Sequence, residues 1–387
     1  MTLSMPKQAA TVDRRQPSPF PGPLMERALA TAARGAEVAE QQRQLGADTV
    51  EALTVAGFPA HFVPRRWGGA EGGFAPLLRA VAEVGEACAS AAWCAGLWAA
   101  HGRFGAYLPP EGQRELWADT PQVRIAAALA PHGAQGVRTG RGDWTVSGTW
   151  DLVSGIDHAQ WVLLAAAVPE APQERGGVRV FAVPYEDVQV VDTWHSTGLC
   201  GTGSNSVVLK PTSVPHHRTF LLADLLAGRA GEGAARCHAA PAQLAGGLIF
   251  GAPAVGAARA ALRAWTAWAA PRAAAGAAAS RGPLHRGLAR SSAEVDAAGL
   301  MLAEAARRAD EDPVTRLGVA RNHRDAAVLV DLVVTAVERL FRTGGLHARD
   351  GAGTVQRCWR DVHSVAAHAV LQFEEAATHY GTEALAR

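Results

Sequence analysis

Charge is scarce in this chain. Asp, Glu, Lys and Arg make up only 19% of its 387 residues and the formal net charge is +1. No basic face advertises nucleic acid and no polybasic run advertises an anionic membrane. The partners this favours are small and largely uncharged. Paired cysteines are missing too. Cys88, Cys94, Cys200, Cys237 and Cys358 are odd in number and lack CxxC spacing, which argues against a disulfide framework and against a zinc site. No metal is expected, and a reducing cytoplasm is the expected compartment. There is no GxGxxG, GxxxxGKS or GxxxxGKT, and strands do not alternate with helices, so a nucleotide-binding doubly wound sheet is a poor fit. The opening residues carry Arg14, Arg15 and several prolines without a continuous apolar run, unlike a secretory leader. Residues 1–22 read as a loose tail.

What is there is apolar mass, 48% of the chain, punctuated by 41 glycines. Residues 23–120 carry helical periodicity, in Met25–Ala56 and Phe74–Ala100, separated by GFPAHFVPRRWGGAEGG, whose prolines and glycines cannot continue a helix. Residues 121–218 change character. The runs Val123–Ala130, Trp144–Trp150, Trp161–Val168, Val178–Val183, Val188–Trp194 and Ser206–Lys210, bounded by Gly, Pro and Asp, predict about six strands. Residues 219–387 return to helix over Ala239–Ala270, Leu284–Asp310, Arg316–Arg342 and Thr354–Tyr380. The class is α+β. The uncharged stretch Cys237–Ala258 is long enough to raise a membrane question. Its Ala, Gly and two prolines fit close-packed bundle helices better, and so no membrane contact is expected. Small side chains along these helices also predict self-association.

The last predicted helix follows the glycine break Gly344-Gly345. At about 100° per residue, Val355, Trp359, Val362, Ala366, Val370 and Phe373 share a stripe, and His368 falls on the opposite side. By pattern alone His368 reads as a packed core or interface histidine.

Five motifs in order, GFPAHFVPRRWGG, AAWCAGLWAAHG, SGTWDLVSGIDHAQW, GLCGTGSNSVVLKPTSVP and VQRCWRDVHSVAAH, resemble the acyl-CoA dehydrogenase superfamily, in particular its flavin-dependent monooxygenase branch. The resemblance covers about residues 25–380. It implies an acyl-CoA dehydrogenase-like fold: an N-terminal helical domain, a central β-barrel domain and a C-terminal four-helix bundle, assembled as a homotetramer. It implies a flavin, FMNH2 or FADH2, delivered by a separate reductase, with O2 as co-substrate and an aromatic or polycyclic substrate hydroxylated through a C4a-hydroperoxide. Such a species must be kept dry. The Ala- and Arg-rich, Lys-poor composition resembles high-GC bacteria, where this branch tailors secondary metabolites, including antibiotics.

In the dehydrogenases of this superfamily the glutamate base stands a fixed distance beyond an Arg-Asp pair resembling Arg360-Asp361, a count that here ends on Ala369. A dehydrogenase with tightly held FAD stays open as an alternative, since some members take the base from another helix, as does a non-catalytic scaffold for a biosynthetic partner. The monooxygenase branch implies roles for His368 near flavin C4a, His101 facing substrate, and Ser154 at flavin N5. It further implies cofactor contacts from Leu129 and Gly133 in the strand and loop under the ring, where Ala127 or Ala128 replaces a usual hydroxyl or amide residue. Thr202 and Ser204, Arg272 and Arg281 (or Arg286), and Gly344, Gly345 and His347 (or Arg349) complete the implied cofactor set. Read as residues alone, His101 is better taken as a helix-terminal histidine meeting free carbonyls and Ser154 as a turn serine, while the Gly201–Ser204 stretch is equally a β-turn. Trp93 and Trp98, with Trp67, are expected on the substrate-pocket wall, although core packing explains most tryptophans. Arg360 and Asp361 are expected to form a structural ion pair.

Overall fold

The computed structural model describes residues 19–139, 142–169, 176–275, 278–351 and 353–386, so most of the predicted tail lies outside the described residues. Five helices come first: α1 (Gly22–Gln42), α2 (Ala47–Val55), α3 (Phe74–Ala87), α4 (Ala89–Gly105) and α5 (Pro110–Trp117). The predicted segment from Phe74 to Ala100 is broken because Cys88 is extended, at φ −159°, which turns the chain between α3 and α4. Helix α4 is buried on every side except at Phe104. A helix enclosed all round must be apolar all round, and the run AAWCAGLWAA satisfies that.

Eight strands follow, β1 (Ile125–Ala128), β2 (Gln135–Arg138), β3 (Trp144–Val153), β4 (Trp161–Val168), β5 (Gly177–Pro184), β6 (Gln189–Val191), β7 (Asn205–Val214) and β8 (Thr219–Leu221). They form one sheet in the order β6-β7-β3-β2-β4-β5-β8, and β1 pairs with β4 in parallel. The expected barrel is therefore an open sheet. Its end strands β6 and β8 have three residues each, β2 meets β4 at a single pair, Gln135 and Ala167, and among the described residues no ladder closes the ring. The two strands missed in the sequence are β2, exposed at three of its four positions and so without an apolar run, and the three-residue β8. Strand β4 is buried on both faces: Val162, Leu164 and Ala166 enter one core with Trp150 and Phe181, while Leu163 and Ala165 enter another with Trp117 and Phe220. That is why it reads as a continuous apolar run instead of an alternating one.

The chain then returns to helix with α6 (Leu222–Ala227), α7 (Arg236–Ala239), α8 (Ala242–Ala275), α9 (Ala278–Glu311), α10 (Arg316–Thr343), α11 (Thr354–Ala366) and α12 (Phe373–Leu385). Thr315 caps α10 by accepting the Gly318 N–H at 3.0 Å. Helix α8 is long and apolar enough to cross a bilayer, yet 83% of its most apolar window is covered by protein. It crosses α3 at close range. A Cβ on Gly256 would stand 2.1 Å from the Ala82 carbonyl oxygen and 2.7 Å from Gly85 Cα, so only glycine lets these helices cross. The N-terminal and C-terminal helices share one apolar core running from Phe20 to Leu371.

The final predicted helix is wrong in one respect that matters. It stops at Ala366, passes through a short 3-10 turn at Ala369–Leu371, and restarts at Phe373. His368 caps that turn with its own ring, so it lies in the break between two helices, off the stripe geometry of a continuous one.

Candidate functional site

Two turns from the sheet face each other beside α4. At the end of β3 the backbone passes through left-handed Leu152 (φ 60°) and Gly155 (φ 68°), and before β7 through left-handed Leu199 and Gly203 (φ 53° each). Left-handed backbone costs a leucine about 1–2 kcal/mol, so surrounding contacts must hold both turns. The Gly155 N–H donates to the Thr202 carbonyl at 2.8 Å, tying one turn to the other. Between them the hydroxyls of Ser154 and Ser204 lie 2.7 Å apart, and those of Ser204 and Thr202 lie 2.8 Å apart. From α4 the Trp93 indole N–H donates to Ser154 Oγ at 3.0 Å. All four residues are buried.

Trp93 also carries the cluster across to the bundle. Its ring lies 5.7 Å from the ring of His368 and 5.2 Å from that of Phe250 on α8, and Phe250 stacks on His368 at 3.9 Å and 26°. Burial pushes the His368 imidazole down to about 4, so it is neutral near pH 7. Its Nδ1 accepts the Val370 N–H at 3.3 Å. The ring proton is therefore on Nε2, and this histidine offers a donor.

His101 shows the opposite arrangement. It lies inside α4, not at its end, because the helix continues to Gly105. Its Nδ1 is 2.8 Å from the Ile125 carbonyl oxygen on β1, which can only accept, so Nδ1 holds the proton. Burial lowers this ring also to about 4, leaving Nε2 as a lone-pair acceptor. Eight residues separate it from Trp93, about 12 Å along the axis. The structure thus brings Trp93, Ser154, Thr202, Ser204 and His368 together and sets His101 further along the same helix.

Other predicted residues fall elsewhere. Trp98 is fully enclosed with its ring edge on to His158, and is core and not wall. Trp67 donates to Gln113 at 3.1 Å, in a different core. The Leu129 side chain packs into the core containing Leu163 and Trp117, leaving only its backbone available, whereas Gly133 is exposed with φ 88° and open space around it. Arg360 and Asp361 do not pair with each other. Arg360 pairs with Glu40, and Asp361 accepts the Leu199 N–H at 2.7 Å, which is one of the contacts holding the left-handed leucine. Adjacent helical residues diverge by about 100°, which is why they reach different partners.

The predicted phosphate-binding residues gather at the far end of the bundle. The Trp268 ring is stacked parallel to His347 at 5.6 Å and carries the Arg272 guanidinium at 4.5 Å. Gly344 ends α10, and Gly345 takes the left-handed conformation expected there, with φ 59°. Arg286 lines an adjoining cleft of about 700 Å³ with Arg290, Arg339 and Thr343. The Arg281 side chain lies outside the described residues. Trp268 is eighteen residues beyond Phe250, about 27 Å along α8, so this cluster and the Ser154 cluster are separate places on one chain. A second cleft of about 520 Å³, between Arg66, Tyr107, Asp224 and His238, contains none of the predicted residues.

Sequence reasoning missed Phe250. The signal was present, since it is the lone aromatic in the Ala- and Gly-rich stretch AGGLIFGAPAVGAA. It also missed the Ile125 carbonyl, for which a side-chain pattern gives no sign.

Comparison with known proteins supplies independent findings. Residues 248–373 match the family described as acyl-CoA dehydrogenase, C-terminal domain. The chain is 31% identical over 368 residues, covering 89% of both sequences, to the FADH(2)-dependent resorcinol hydroxylase, oxygenase component, of Rhizobium sp. (strain MTP-10005). It superposes with a TM-score of 0.87 on the crystal structure of 3-HSA hydroxylase from Rhodococcus sp. RHA1, at 28% identity, covering 94% of this chain and 96% of that one. XiaF from Streptomyces sp., solved in complex with FADH2 and glycerol, gives a TM-score of 0.86 at 25% identity, covering 94% of this chain and 95% of that one.

Proposed function

Since the chain belongs to the flavin-dependent monooxygenases of acyl-CoA dehydrogenase-like fold, as an oxygenase component that uses reduced flavin and O2, we propose that its substrate is an aromatic or polycyclic small molecule bearing an ionisable hydroxyl or N–H. The observation that carries this is the pair of opposite tautomers: His101 offers an acceptor and His368 a donor. An acceptor held beside a phenol draws its proton and enriches the ring in electrons, which suits attack by an electrophilic oxygen. A donor held at the oxygen's position steadies developing negative charge.

The residues fit a flavin ring. Trp93 and Phe250 supply flat apolar walls, and Ser154 supplies one polar group at an edge between sheet and bundle. When bound, the reduced flavin supplies the electrons that activate O2. Trp93 and Phe250 keep water from it. Thr202 and Ser204 support Ser154, while Leu129 and Gly133 contribute backbone under the ring.

We assign the Arg272–Trp268–His347 cluster, with Gly344, Gly345, Arg281 and the Arg286 cleft, to the phosphate end of a flavin seated in another copy of the chain. Its distance from Ser154 supports this, and a homotetramer is the assembly proposed. A dehydrogenase reading is not favoured, because the place of its base is taken by exposed Ala369 while Glu374 and Glu375 point to solvent on α12. We place the protein in the cytoplasm, in secondary metabolism, on the strength of its unpaired cysteines and its composition.

The test supplies reduced FAD or FMN from a flavin reductase, with O2 and a panel of phenols and indoles, and measures hydroxylated product against hydrogen peroxide. Product with at least one class of phenol is expected. Peroxide alone with every aromatic, together with bleaching of bound flavin by an acyl-CoA, would replace this reading with the dehydrogenase one. Unchanged activity of a biosynthetic partner on His368→Ala, with no hydroxylation by the wild type, would leave the scaffold reading.

A further inference from the structure

The hydroxyl chain beside Trp93 has only one consistent direction. The Thr202 hydroxyl is 2.8 Å from the Leu199 carbonyl oxygen, which cannot donate, so the Thr202 proton points there. Thr202 must then accept from Ser204, 2.8 Å away. With its own proton spent, Ser204 must accept from Ser154 at 2.7 Å. Ser154 in turn accepts the Trp93 N–H. The order is Trp93 N–H to Ser154, Ser154 O–H to Ser204, Ser204 O–H to Thr202, and Thr202 O–H to the Leu199 carbonyl. The end of the chain is anchored, because the Leu199 N–H is held by Asp361.

A hydroxyl oxygen has two lone pairs and one proton. Ser154 has spent the proton on Ser204 and one lone pair on Trp93, so what remains is a single acceptor site. We infer that Thr202 and Ser204 are positioning residues that fix Ser154 as an obligate acceptor, so that the site discriminates the redox state of the flavin: reduced flavin brings an N5–H that Ser154 can accept, whereas the bare N5 of oxidised flavin meets a second lone pair. A free serine would serve either state by rotating. Here the rotation is blocked from the far side, by a carbonyl three links away. This rests on the flavin site of the proposed function, with Ser154 at N5 as the family resemblance implies, and deepens it. Reduced flavin delivered by a reductase would be retained, and oxidised flavin would be released for another cycle.

The test reads binding instead of turnover. FAD, and in parallel FMN, is titrated oxidised in air and reduced under anaerobic conditions into the wild type, Ser204→Ala, Thr202→Val, Thr202→Ser and Ser154→Ala, with melting temperatures recorded for each. The wild type is expected to prefer reduced flavin. Ser204→Ala and Thr202→Val free the Ser154 proton to turn toward N5, and the preference should fall about three- to tenfold, the worth of one hydrogen bond. A tenfold fall appears as a potential of the bound flavin lower by about 30 mV for a two-electron couple. Thr202→Ser keeps the hydroxyl and should keep the preference. If Ser154→Ala changes neither affinity, Ser154 is not at the flavin and the underlying reading fails. If Ser154→Ala changes them but folded Ser204→Ala and Thr202→Val retain the wild-type ratio, the directed chain is overturned and the underlying reading stands.

Discussion

Phe250 and His368 stack face to face, centroids 3.9 Å apart, although 118 positions separate them in sequence (368 − 250). The contact joins α8 to the break between α11 and α12, and it excludes water from the same imidazole whose proton is placed by Val370. Phe250→Ala is expected to lower stability by about 1–2 kcal/mol, since the ring is only partly buried. It should also raise the hydrogen peroxide released per reduced flavin consumed several-fold by admitting water. Thermal melting and a peroxide assay check the two effects separately. A leucine at this position should restore stability more than coupling, because it fills the volume without the flat face.

His101, His368 and His61 are each lowered to about 4 by burial. For all three the unfolded chain, titrating near 6.5, binds the proton more readily than the folded one. Stability contributed by keeping them neutral is therefore full above pH 6.5 and is lost as pH falls toward 4. The expected loss is on the order of 1–3 kcal/mol per ring across that window. Urea melts at pH 7, 5.5 and 4.5 measure it, and His101→Asn should flatten the slope.

Asp361 behaves in the opposite sense. Burial pushes its carboxyl up to about 6, with the Leu199 N–H and the neighbouring arginines pulling it back down. The folded state then binds the proton more readily than the unfolded one, so stability falls as pH rises from about 4 through 6. Asp361→Asn keeps an oxygen for the Leu199 N–H and should gain on the order of 1–2 kcal/mol at pH 7 relative to pH 4. Asp361→Ala leaves that N–H unpaired and should cost about 1–3 kcal/mol at both. Parallel melts of the two variants distinguish a charge effect from a hydrogen-bond effect.

The crossing of α3 and α8 makes a sharper structural prediction. Gly256→Ala would place a methyl group 2.1 Å from the Ala82 carbonyl oxygen. Backbone at both contacts leaves nothing flexible to yield, and a loss of at least about 3 kcal/mol is expected. The same change at Gly246, which has open space around it, should be nearly neutral. Expression level and melting temperature of the two variants give the comparison.

The helix-sheet-helix order was legible because each layer has its own period, whereas α4 was read only as the second half of Phe74–Ala100, because no proline marks the extended Cys88 between them. Ser154, Thr202, Ser204 and His368 were named from motif resemblance alone, and the structure brings them together around Trp93. Their directions were not legible. The tautomers of His101 and His368 are set by the Ile125 carbonyl and the Val370 amide, and backbone groups leave no mark in a side-chain pattern. The helix break before His368 was missed for a related reason: AAHAVLQF has no glycine or proline, and the chain turns there because the His368 ring, stacked on Phe250, caps the next turn itself. The barrel was carried by the family resemblance and not by strand periodicity, and the sheet stays open because the three-residue strands β6 and β8 stand at its two ends.

The most direct test follows one oxygen atom. Wild-type protein, a flavin reductase and a phenol that it accepts are incubated under 18O2, and the product is weighed by mass spectrometry alongside that of His101→Ala and His368→Ala. A single 18O in the wild-type product, with product falling and peroxide rising in both variants, is the expected result. Unlabelled product, or labelled product formed equally well without either imidazole, would contradict the two-histidine site.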